Sequence, residues 1–283
     1  MSKNIYLPVP YPQSTCSEEL TQRYTISHNI ATEEDLICDK DLINIYDENK
    51  KAMEKIKSNI EVLTTNSKCV PVADTTKGQY VNTVLLDITT YDGKKHQASG
   101  FVVGDNAIAT CGHCVYNPKW GGWAKNIKVI PACNGASHPR GEYHATDMQC
   151  GGNWYEHQNN QDDWGIVLVS KNIGDRVGWL GLRWQSDSYG SKAVQLNGYP
   201  VLTIYGENEP PEMFHSTGNI TNSSDRTLTG NWISYGGMSG GPLYYYSSST
   251  GYTAIGFCRG NGSNYSDAMR IDEWIYKKFI SFR

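Results

Sequence analysis

The chain has 283 residues, 39% of them hydrophobic and 19% charged, with a formal net charge of −4 at pH 7. This length is ample for a full hydrophobic core. The nearly balanced charge gives no indication of binding to nucleic acid or to an anionic membrane surface. No apolar run approaches the roughly 18 residues of a membrane-spanning helix, so no membrane partner is expected.

The first 61 residues differ in character from the rest of the chain. Thr32 followed by acidic residues at 33–35 is typical of a helix N-terminus. Apolar residues from Met53 to Leu63 then recur at helical spacing among lysines and glutamates. A charged amphipathic helix before a β-rich body predicts an N-terminal extension, residues 1–61, as a propeptide. The alternative is a permanent helical arm packed on the rest.

The remaining residues, 62–283, alternate short β-rich runs with clusters of Gly, Asn and Ser, which is typical of a β-barrel protein. Residues 272–280 begin with acidic side chains and continue with lysines, which predicts a terminal helix. The clearest predicted strands are 81–88, 193–199, 227–233, 241–246 and 253–257.

A histidine lies just beyond a predicted hairpin at 101–109. His113 belongs to a Cys-Gly-His-Cys motif at 111–114, where the end of a strand can present a base on a rigid scaffold. The motif also has the spacing of half a zinc site. No second Cys-x-x-Cys or His pair completes four ligands, so no metal is expected.

An aspartate, Asp163, opens the apolar strand that follows it. At such a position a carboxylate can be buried beside an imidazole while its backbone stays anchored. Taken alone, an aspartate before a strand is more often a cap or a solvated turn. Its order in the chain, after the histidine and before a serine described next, supports Asp163 as a catalytic candidate.

A serine stands between glycines in Gly237-Met238-Ser239-Gly240, the usual setting of a nucleophilic hydroxyl. Gly-x-Ser-x-Gly also occurs in α/β-hydrolases, but their histidine follows the serine, and all seven histidines here precede Ser239. Two triad orders remain: His, Asp, Ser as in chymotrypsin-type enzymes, and Asp, His, Ser as in subtilisin.

These residues suggest catalytic roles that follow from their chemistry. Free serine is a poor nucleophile, so His113 would take the proton of Ser239, and Asp163 would fix the imidazole tautomer. Gly237 permits backbone angles closed to other residues. The amides of Gly237 and Ser239 would form the oxyanion hole, each donor contributing about 3 kcal/mol to lowering the barrier.

Six segments in one order make the chain similar to bacterial glutamyl endopeptidases, a branch of the chymotrypsin-fold serine proteases. The resemblance covers roughly residues 62–283. It implies an all-β, chymotrypsin-like double β-barrel with a C-terminal helix, following the N-terminal helical extension. It also implies a serine endopeptidase that cuts protein or peptide substrates through an acyl-enzyme without a cofactor. The segments are 74–80, 110–114, 163–166, 198–200, 213–218 and 235–240.

The specificity pocket implied by this resemblance is altered. Ser234 keeps the hydroxyl of one wall, but Cys258 stands where the family has a histidine. Arg259 is a candidate replacement, because its guanidinium can bind a carboxylate through two hydrogen bonds. We therefore expect acidic residues before the cut. Alternatively, Arg259 points to solvent and the pocket accepts small or apolar side chains.

The family-like segment also implies a mature N-terminus near Glu61 and Val62. Cleavage there would free the α-amino group of Val62, whose reference pKa is about 7.7. In the resembling family such a terminus can reach the specificity pocket, which would help to replace the histidine missing at Cys258. The chain is therefore predicted to be a zymogen whose own N-terminal segment inhibits it.

Eight cysteines favour an oxidising compartment, so a secreted, extracellular protein is expected. The start of the chain lacks the apolar segment of a signal peptide, so either a signal has been removed or export uses another route. Cys133 and Cys150 bracket a turn-rich segment and are predicted to form a disulfide. Cys16 with Cys38 is a second predicted pair.

The rival function is a non-catalytic binding protein on a protease scaffold, because a fold does not fix its function. Two features motivate it: Cys258 changes the pocket, and Cys111 lies close to the base in sequence. A protein that has lost catalysis usually lacks at least one member of the triad, and no member is missing here.

Overall fold

The protein is described by a computed structural model that covers residues 6–8, for the backbone, and 23–30, 69–201, 210–262 and 265–283 in full. Among these residues, no helix has both the length and the apolar character needed to cross a membrane. The strands are β1 (Tyr6–Pro8), β2 (Thr25–Asn29), β3 (Cys69–Pro71), β4 (Thr83–Thr89), β5 (Lys95–Val102), β6 (Ala107–Thr110), β7 (Tyr116–Asn117), β8 (Gly122–Trp123), β9 (Asn126–Pro131), β10 (Tyr143–Gly151), β11 (Gly165–Val169), β12 (Gly181–Leu182), β13 (Ala193–Gly198), β14 (Phe214–Ser223), β15 (Thr227–Gly230), β16 (Pro242–Ser247), β17 (Gly251–Asn261) and β18 (Ser266–Arg270). The helices are α1 (Gly152–His157), α2 (Gly174–Val177) and α3 (Glu273–Ile280).

Two antiparallel barrels make up the fold. The first runs in the order β5, β4, β9, β10, β11, β6 and closes through pairing of β5 with β6. The second runs β17, β16, β13, β14, β15, β18 and closes through pairing of β17 with β18. Helix α3 follows the last strand, and the Asp272 side chain caps it by accepting a hydrogen bond from the Ile275 amide at 2.9 Å. The predicted double barrel with a C-terminal helix is confirmed.

The strands between the barrels are buried on both faces, which explains why they do not alternate in hydrophobicity. Leu86 of β4 lies in the core of the first barrel. Its neighbour Leu85 packs with Tyr199 and Met213 in a separate cluster. Polar contacts join the same surfaces, since the Ser99 hydroxyl accepts from the Tyr199 amide at 2.8 Å. Side chains on this shared face are therefore fixed by both barrels.

Part of the N-terminal extension belongs to the first barrel. Strand β2 pairs antiparallel with β10 from Asp147 to Gly151. Strand β9 pairs with β10 only at Tyr143 and His144, so β2 covers the edge that β9 leaves open. The backbone of β1 also pairs with β5, in parallel. The sequence analysis missed both strands. Its predicted helical stripe from Met53 to Leu63 lies outside the described residues.

The predicted disulfide between Cys133 and Cys150 is absent, and this prediction is corrected. Both side chains are buried free thiols, as are the other cysteines of the described residues. Cys133 packs with Tyr199 between the barrels, whereas Cys150 lies in the core of the first barrel. Because β10 runs antiparallel to β9, it carries Cys150 away from Cys133. Cys16 and Cys38 lie outside the described residues.

Candidate active site

His113 lies in a single 3-10 turn, Gly112–Cys114, directly after β6. The turn is closed by the Cys114 amide donating to the Cys111 carbonyl at 3.1 Å. The His113 side chain is completely buried, with the Trp154 ring against it edge-on at a centroid distance of 6.1 Å. The end of the strand thus sets the position of the imidazole, as the sequence predicted.

Asp163 holds this imidazole through both carboxylate oxygens. Its Oδ2 lies 2.7 Å from His113 Nδ1, and its Oδ1 accepts the backbone N–H of His113 at 2.8 Å. Both residues are fully buried. With Nδ1 engaged by the carboxylate, proton transfer at this imidazole would take place at Nε2.

The turn before Asp163, Asn160–Asp162, is held by two arginines. Arg23, from the segment that precedes β2, donates to the Gln161 carbonyl at 3.2 Å and lies 3.2 Å from the Asp162 carboxylate. Arg259 of β17 donates to the Asn160 carbonyl. One arginine comes from the N-terminal extension and the other from the second barrel, and both fix the backbone that leads into Asp163.

Arg23 is buried although it comes from the N-terminal extension. Its side chain is only 5% exposed and forms a second ion pair, to Asp272 at 2.6 Å. The guanidinium also stacks over the Trp274 ring, 5.5 Å from the centroid. Burial lowers the pKa of Arg23, and the Asp272 and Asp162 carboxylates oppose that shift.

Ser239 lies on a turn that only glycines allow. Gly237 and Gly240 have φ of 92° and 85°. A Cβ at Gly240 would lie 2.1 Å from the Ser99 carbonyl oxygen, and one at Gly237 would lie 2.5 Å from the Tyr199 carbonyl oxygen. The Ser99 amide also donates to the Ser239 carbonyl at 2.8 Å. The turn is therefore packed directly onto the first barrel, which carries His113 and Asp163.

The Ser239 side chain is 5% exposed, and its hydroxyl donates to the Arg259 carbonyl at 3.2 Å. Among the hydrogen bonds of the described residues, neither the Gly237 amide nor the Ser239 amide donates to another protein group. Two N–H groups beside the hydroxyl are thus free for an incoming oxygen. An oxyanion hole needs such unengaged donors, and the assignment of these two amides to one stays a prediction.

The Cys114 thiol changes the electrostatics of the base. Burial alone would lower the pKa of His113, but the negative charges of Asp163 and Cys114 outweigh it and raise that pKa. Burial alone would raise the pKa of Cys114, but the Cys111 thiol and the His113 charge lower it. Burial raises the pKa of Cys111. His113, Cys111 and Cys114 therefore form one electrostatic unit.

Ser234 and Cys258 come together in the second barrel. The Ser234 hydroxyl lies 2.9 Å from the Ser266 hydroxyl and donates to the Gly260 carbonyl at 3.3 Å. Cys258 is fully buried, and burial raises the pKa of its thiol to about 12. The thiol is therefore neutral at physiological pH.

Arg259 is paired within the protein rather than pointing to solvent. It is 6% exposed, and its Nε donates to the Asp267 carboxylate at 3.0 Å. Its remaining nitrogens contact Asp267 and the Asn160 carbonyl. Because the guanidinium already has a carboxylate partner, this contact does not favour its expected role as the partner of an acidic substrate, which stays a prediction.

Sequence reasoning missed Arg23 and the Arg259–Asp267 pair. The second has a usable signal, because Arg259 and Asp267 are eight residues apart across the hairpin of β17 and β18. Arg23 has no local signal, since its partner Asp272 is 249 residues away.

Comparison with known proteins identifies the family of the chain. The trypsin family model matches residues 70–275, most of the chain, and the chain therefore belongs to the trypsin family. A solved structure of a Glu endopeptidase superposes with a TM-score of 0.65 at 19% identity, covering 76% of this chain and 95% of that one. The chymotrypsin-like fold is thereby confirmed.

Within that family the chain is glutamyl endopeptidase-like, as its motifs predicted. It is 28% identical over 192 residues to a glutamyl endopeptidase of Bacillus licheniformis, covering 65% of this chain and 59% of the relative. A Bacillus subtilis relative named extracellular metalloprotease is 31% identical over 207 residues, 72% of this chain and 64% of the relative. The chain thus spans less than two thirds of the length of each.

Proposed function

We propose that the chain is a serine endopeptidase whose triad is His113, Asp163 and Ser239. The observation that carries the proposal is the double contact of Asp163 with the side chain and the backbone of His113. A carboxylate in that position fixes the tautomer of the imidazole, so that Nε2 can accept a proton. The Ser239 turn is packed on the same barrel, and the Ser239 carbonyl lies 3.9 Å from the thiol of Cys114, the residue after His113.

In this mechanism His113 takes the proton of the Ser239 hydroxyl as the oxygen attacks the substrate carbonyl. The Asp163 carboxylate stabilises the imidazolium that forms, and His113 then gives the proton to the leaving amine. The amides of Gly237 and Ser239 donate to the negative oxygen of the tetrahedral intermediate, each contributing about 3 kcal/mol. Water then attacks the acyl-enzyme, with His113 taking its proton and returning that proton to the Ser239 oxygen as the acyl group leaves.

One side chain must move when substrate binds. The Ser239 hydroxyl donates to the Arg259 carbonyl at 3.2 Å and must turn to His113 before attack. Catalytic hydrogen bonds of this kind are often long or misaligned before substrate binds. If the hydroxyl cannot turn, the rival function applies, a non-catalytic binding protein on a protease scaffold.

A fluorophosphonate probe, which reacts with activated serines, separates these two functions. We expect one label per chain on Ser239, lost in Ser239→Ala and kept in the control Ser249→Ala, which alters an exposed serine on the β16–β17 turn. Folded protein that hydrolyses no peptide and takes no label would exclude the protease.

We propose that the enzyme prefers acidic residues before the cut, and that the Ser234 hydroxyl contacts their carboxylate. The names of the glutamyl endopeptidase relatives support it. The neutral Cys258 thiol and the engaged Arg259 favour the alternative, small or apolar side chains. A peptide-library digest read by mass spectrometry decides between the two preferences. If Glu and Asp are not enriched before the cut, the preference for small or apolar side chains is favoured.

A single substitution sharpens this test. Cys258→His restores the residue that the family has in the pocket and is expected to shift cleavage toward Glu. Cys69→Ser, a buried thiol in β3, is the matched control and should leave the preference unchanged. If Cys258→His leaves it unchanged as well, Cys258 does not line the pocket.

Cleavage between Glu61 and Val62 stays a prediction, because both residues lie outside the described part of the chain. We propose that such a cut leaves the N-terminal fragment bound, since β2 is paired within the first barrel and Arg23 is buried. The active form would then be two chains. N-terminal sequencing of active protein is expected to give two sequences, and full activity from an uncut chain would refute the zymogen.

We also propose that the protein acts outside the cell. The Bacillus subtilis relative is named as extracellular. The free, buried thiols of the described residues give no support to this location, since secreted proteins more often carry disulfides. Recovery of the protein from the medium of the native organism, in an untagged form, tests the location.

A further inference from the structure

We infer that Cys111, His113 and Cys114 form a binding site for one soft divalent cation such as Zn²⁺, and that the bound cation switches off the peptidase. The site itself stands on the geometry of these three residues. Its inhibitory effect rests on the proposed function, because that function requires His113 as the base.

The three side chains already lie at nearly the spacing of metal ligands. One ligand atom from each residue lies within 4.8 Å of the others, and all three side chains are buried. In a tetrahedral zinc site with Zn–N near 2.0 Å and Zn–S near 2.3 Å, ligand atoms are about 3.3 to 3.8 Å apart. Small side-chain rotations on the Gly112–Cys114 turn would therefore bring them into contact with one ion.

The Asp163 contact prepares the histidine for a metal as well as for catalysis. Metal-bound histidines usually donate their second ring N–H to a carboxylate, which fixes the tautomer and raises the basicity of the ligating nitrogen. His113 Nδ1 makes this contact with Asp163 at 2.7 Å. Its Nε2 is therefore the nitrogen that can bind either the serine proton or the cation.

The chemistry of the donor set selects a particular class of cation. Two thiolates and an imidazole favour Zn²⁺ or Cd²⁺ over the hard ions Mg²⁺ and Ca²⁺, which prefer oxygen. Two thiolates also neutralise a divalent charge, which suits a site with fully buried ligands. Binding releases to solvent the protons carried by the two thiols and by His113 Nε2, and no oxidant or reductant takes part.

The consequence for the reaction is direct. A cation on Nε2 occupies the lone pair that must accept the Ser239 proton, so the serine cannot be activated. Three protein ligands leave one position of a tetrahedral site to water or to another oxygen. Inhibition is therefore reversible, and a chelator restores activity.

Direct metal binding can be measured without catalysis. Reduced Ser239→Ala protein is titrated with Co²⁺, whose thiolate charge-transfer absorption reports bound sulfur, and Zn²⁺ is then added as competitor. We expect one cation per chain. The absorption should be lost in the Cys111→Ser/Cys114→Ser double variant and kept in Cys69→Ser, the control thiol in β3. Near-UV circular dichroism first verifies that each variant is folded.

Two more variants test whether the imidazole is a ligand. His113→Gln should weaken Zn²⁺ binding, and Asp163→Asn should weaken it by about 10- to 100-fold, the usual effect of losing the carboxylate behind a ligating histidine. Unchanged affinity in both would mean that the thiols bind metal without the base, and the proposal would be wrong.

The inhibitory effect is measured on the unmodified chain. We expect Zn²⁺ to abolish fluorophosphonate labelling of Ser239 and a chelator to restore it. Equal labelling with and without saturating Zn²⁺ would refute the proposed inhibition. Absence of charge-transfer absorption in the Co²⁺ titration would refute the proposed metal site. Protein that never labels, even without metal, refutes the proposed peptidase only, because the Co²⁺ titration still decides the metal site.

Discussion

The turn that presents Ser239 and the turn that presents Asp163 are held in place by different kinds of interaction. At Ser239 the backbone itself is packed, and a Cβ on Gly240 would lie 2.1 Å from a carbonyl oxygen of the first barrel. At Asp163 the preceding turn is held by the side chains of Arg23 and Arg259, which donate to its carbonyl groups.

The difference decides which changes each turn can tolerate. The glycine turn depends on a few adjacent residues and on close contact, so any added atom disturbs it. The arginine-held turn depends on charges that come from distant parts of the chain. Losing Arg23 leaves the buried Asp162 carboxylate without its ion pair, and losing Arg259 removes a donor from the buried Asn160 carbonyl. The following variants test this contrast, from the largest expected effect to the smallest.

Removing the nucleophile should have the largest effect on rate and almost none on stability. Ser239→Ala is expected to lower kcat by about 10⁴- to 10⁶-fold, because only substrate binding and the oxyanion amides remain. The melting temperature should stay within a few degrees, since the hydroxyl makes one hydrogen bond, to the Arg259 carbonyl. Hydrolysis of a peptide substrate and differential scanning calorimetry measure the two quantities.

Gly240→Ala should disturb both rate and stability. The added methyl group meets the Ser99 carbonyl and the Thr110 hydroxyl, at 2.1 and 2.2 Å, and φ of 85° is strained for alanine. We expect unfolding to become easier by about 4 kcal/mol or more, with loss of probe labelling. Gly251→Ala is the matched control. Gly251 also has positive φ, 69°, but no atom lies within 4 Å of its Cβ position, so its cost is expected to be about 1 kcal/mol.

Arg23→Ala should destabilise the protein by about 3 kcal/mol, because it leaves the buried Asp162 carboxylate without its charged partner. It should also lower kcat more than it changes KM, since Asp163 follows the turn that Arg23 holds. Arg23→Lys keeps the charge and should recover part of both losses. Chemical denaturation and steady-state kinetics test this, and normal kcat in a destabilised Arg23→Ala protein would contradict a role in positioning Asp163.

Arg259→Lys is expected to have the smallest effect, about 1 to 2 kcal/mol in stability. A lysine keeps the ion pair with Asp267 but cannot also reach the Asn160 carbonyl through a planar fork. Substrate preference should not change, because the guanidinium is engaged within the protein. A changed preference in the peptide-library digest would mean that Arg259 does face the substrate.

The contrast between the two turns also explains what could be predicted from the sequence. His113 and Ser239 lie on a strand end and a glycine turn, where neighbouring residues determine the backbone. Asp163 could be found only because an apolar strand follows it. The predicted strands correspond to β4, β13, β15, β16 and β17, with ends shifted by a few residues. The alternation of β-rich runs and turn residues is a local property of the chain, so it can be recognised in a single sequence.

What the sequence did not reveal depends on distant contacts. Strand β2 has no pattern that distinguishes it from an irregular arm, and it is a strand only because β10 offers an open edge. Arg259 was expected at the substrate because its place in the motif is visible, and its separation from Asp267 by eight residues across a hairpin is a signal that the sequence analysis did not use. The sequence analysis paired Cys133 with Cys150 because they bracket a turn-rich segment. The direction of β10 separates the two residues.

The buried position of Arg23 has a consequence for the order of folding. A ribosome makes the N-terminus first, yet β2 pairs with residues 147–151 and Arg23 binds Asp272, 249 residues later in the chain. The ion pair of Arg23 with Asp272 can therefore form only when synthesis is almost complete, whereas its contacts with Gln161 and Asp162 need only the first 162 residues. Arg259 is also made late, so until then the turn before Asp163 lacks one of its two arginines, and such long-range closure is intrinsically slow.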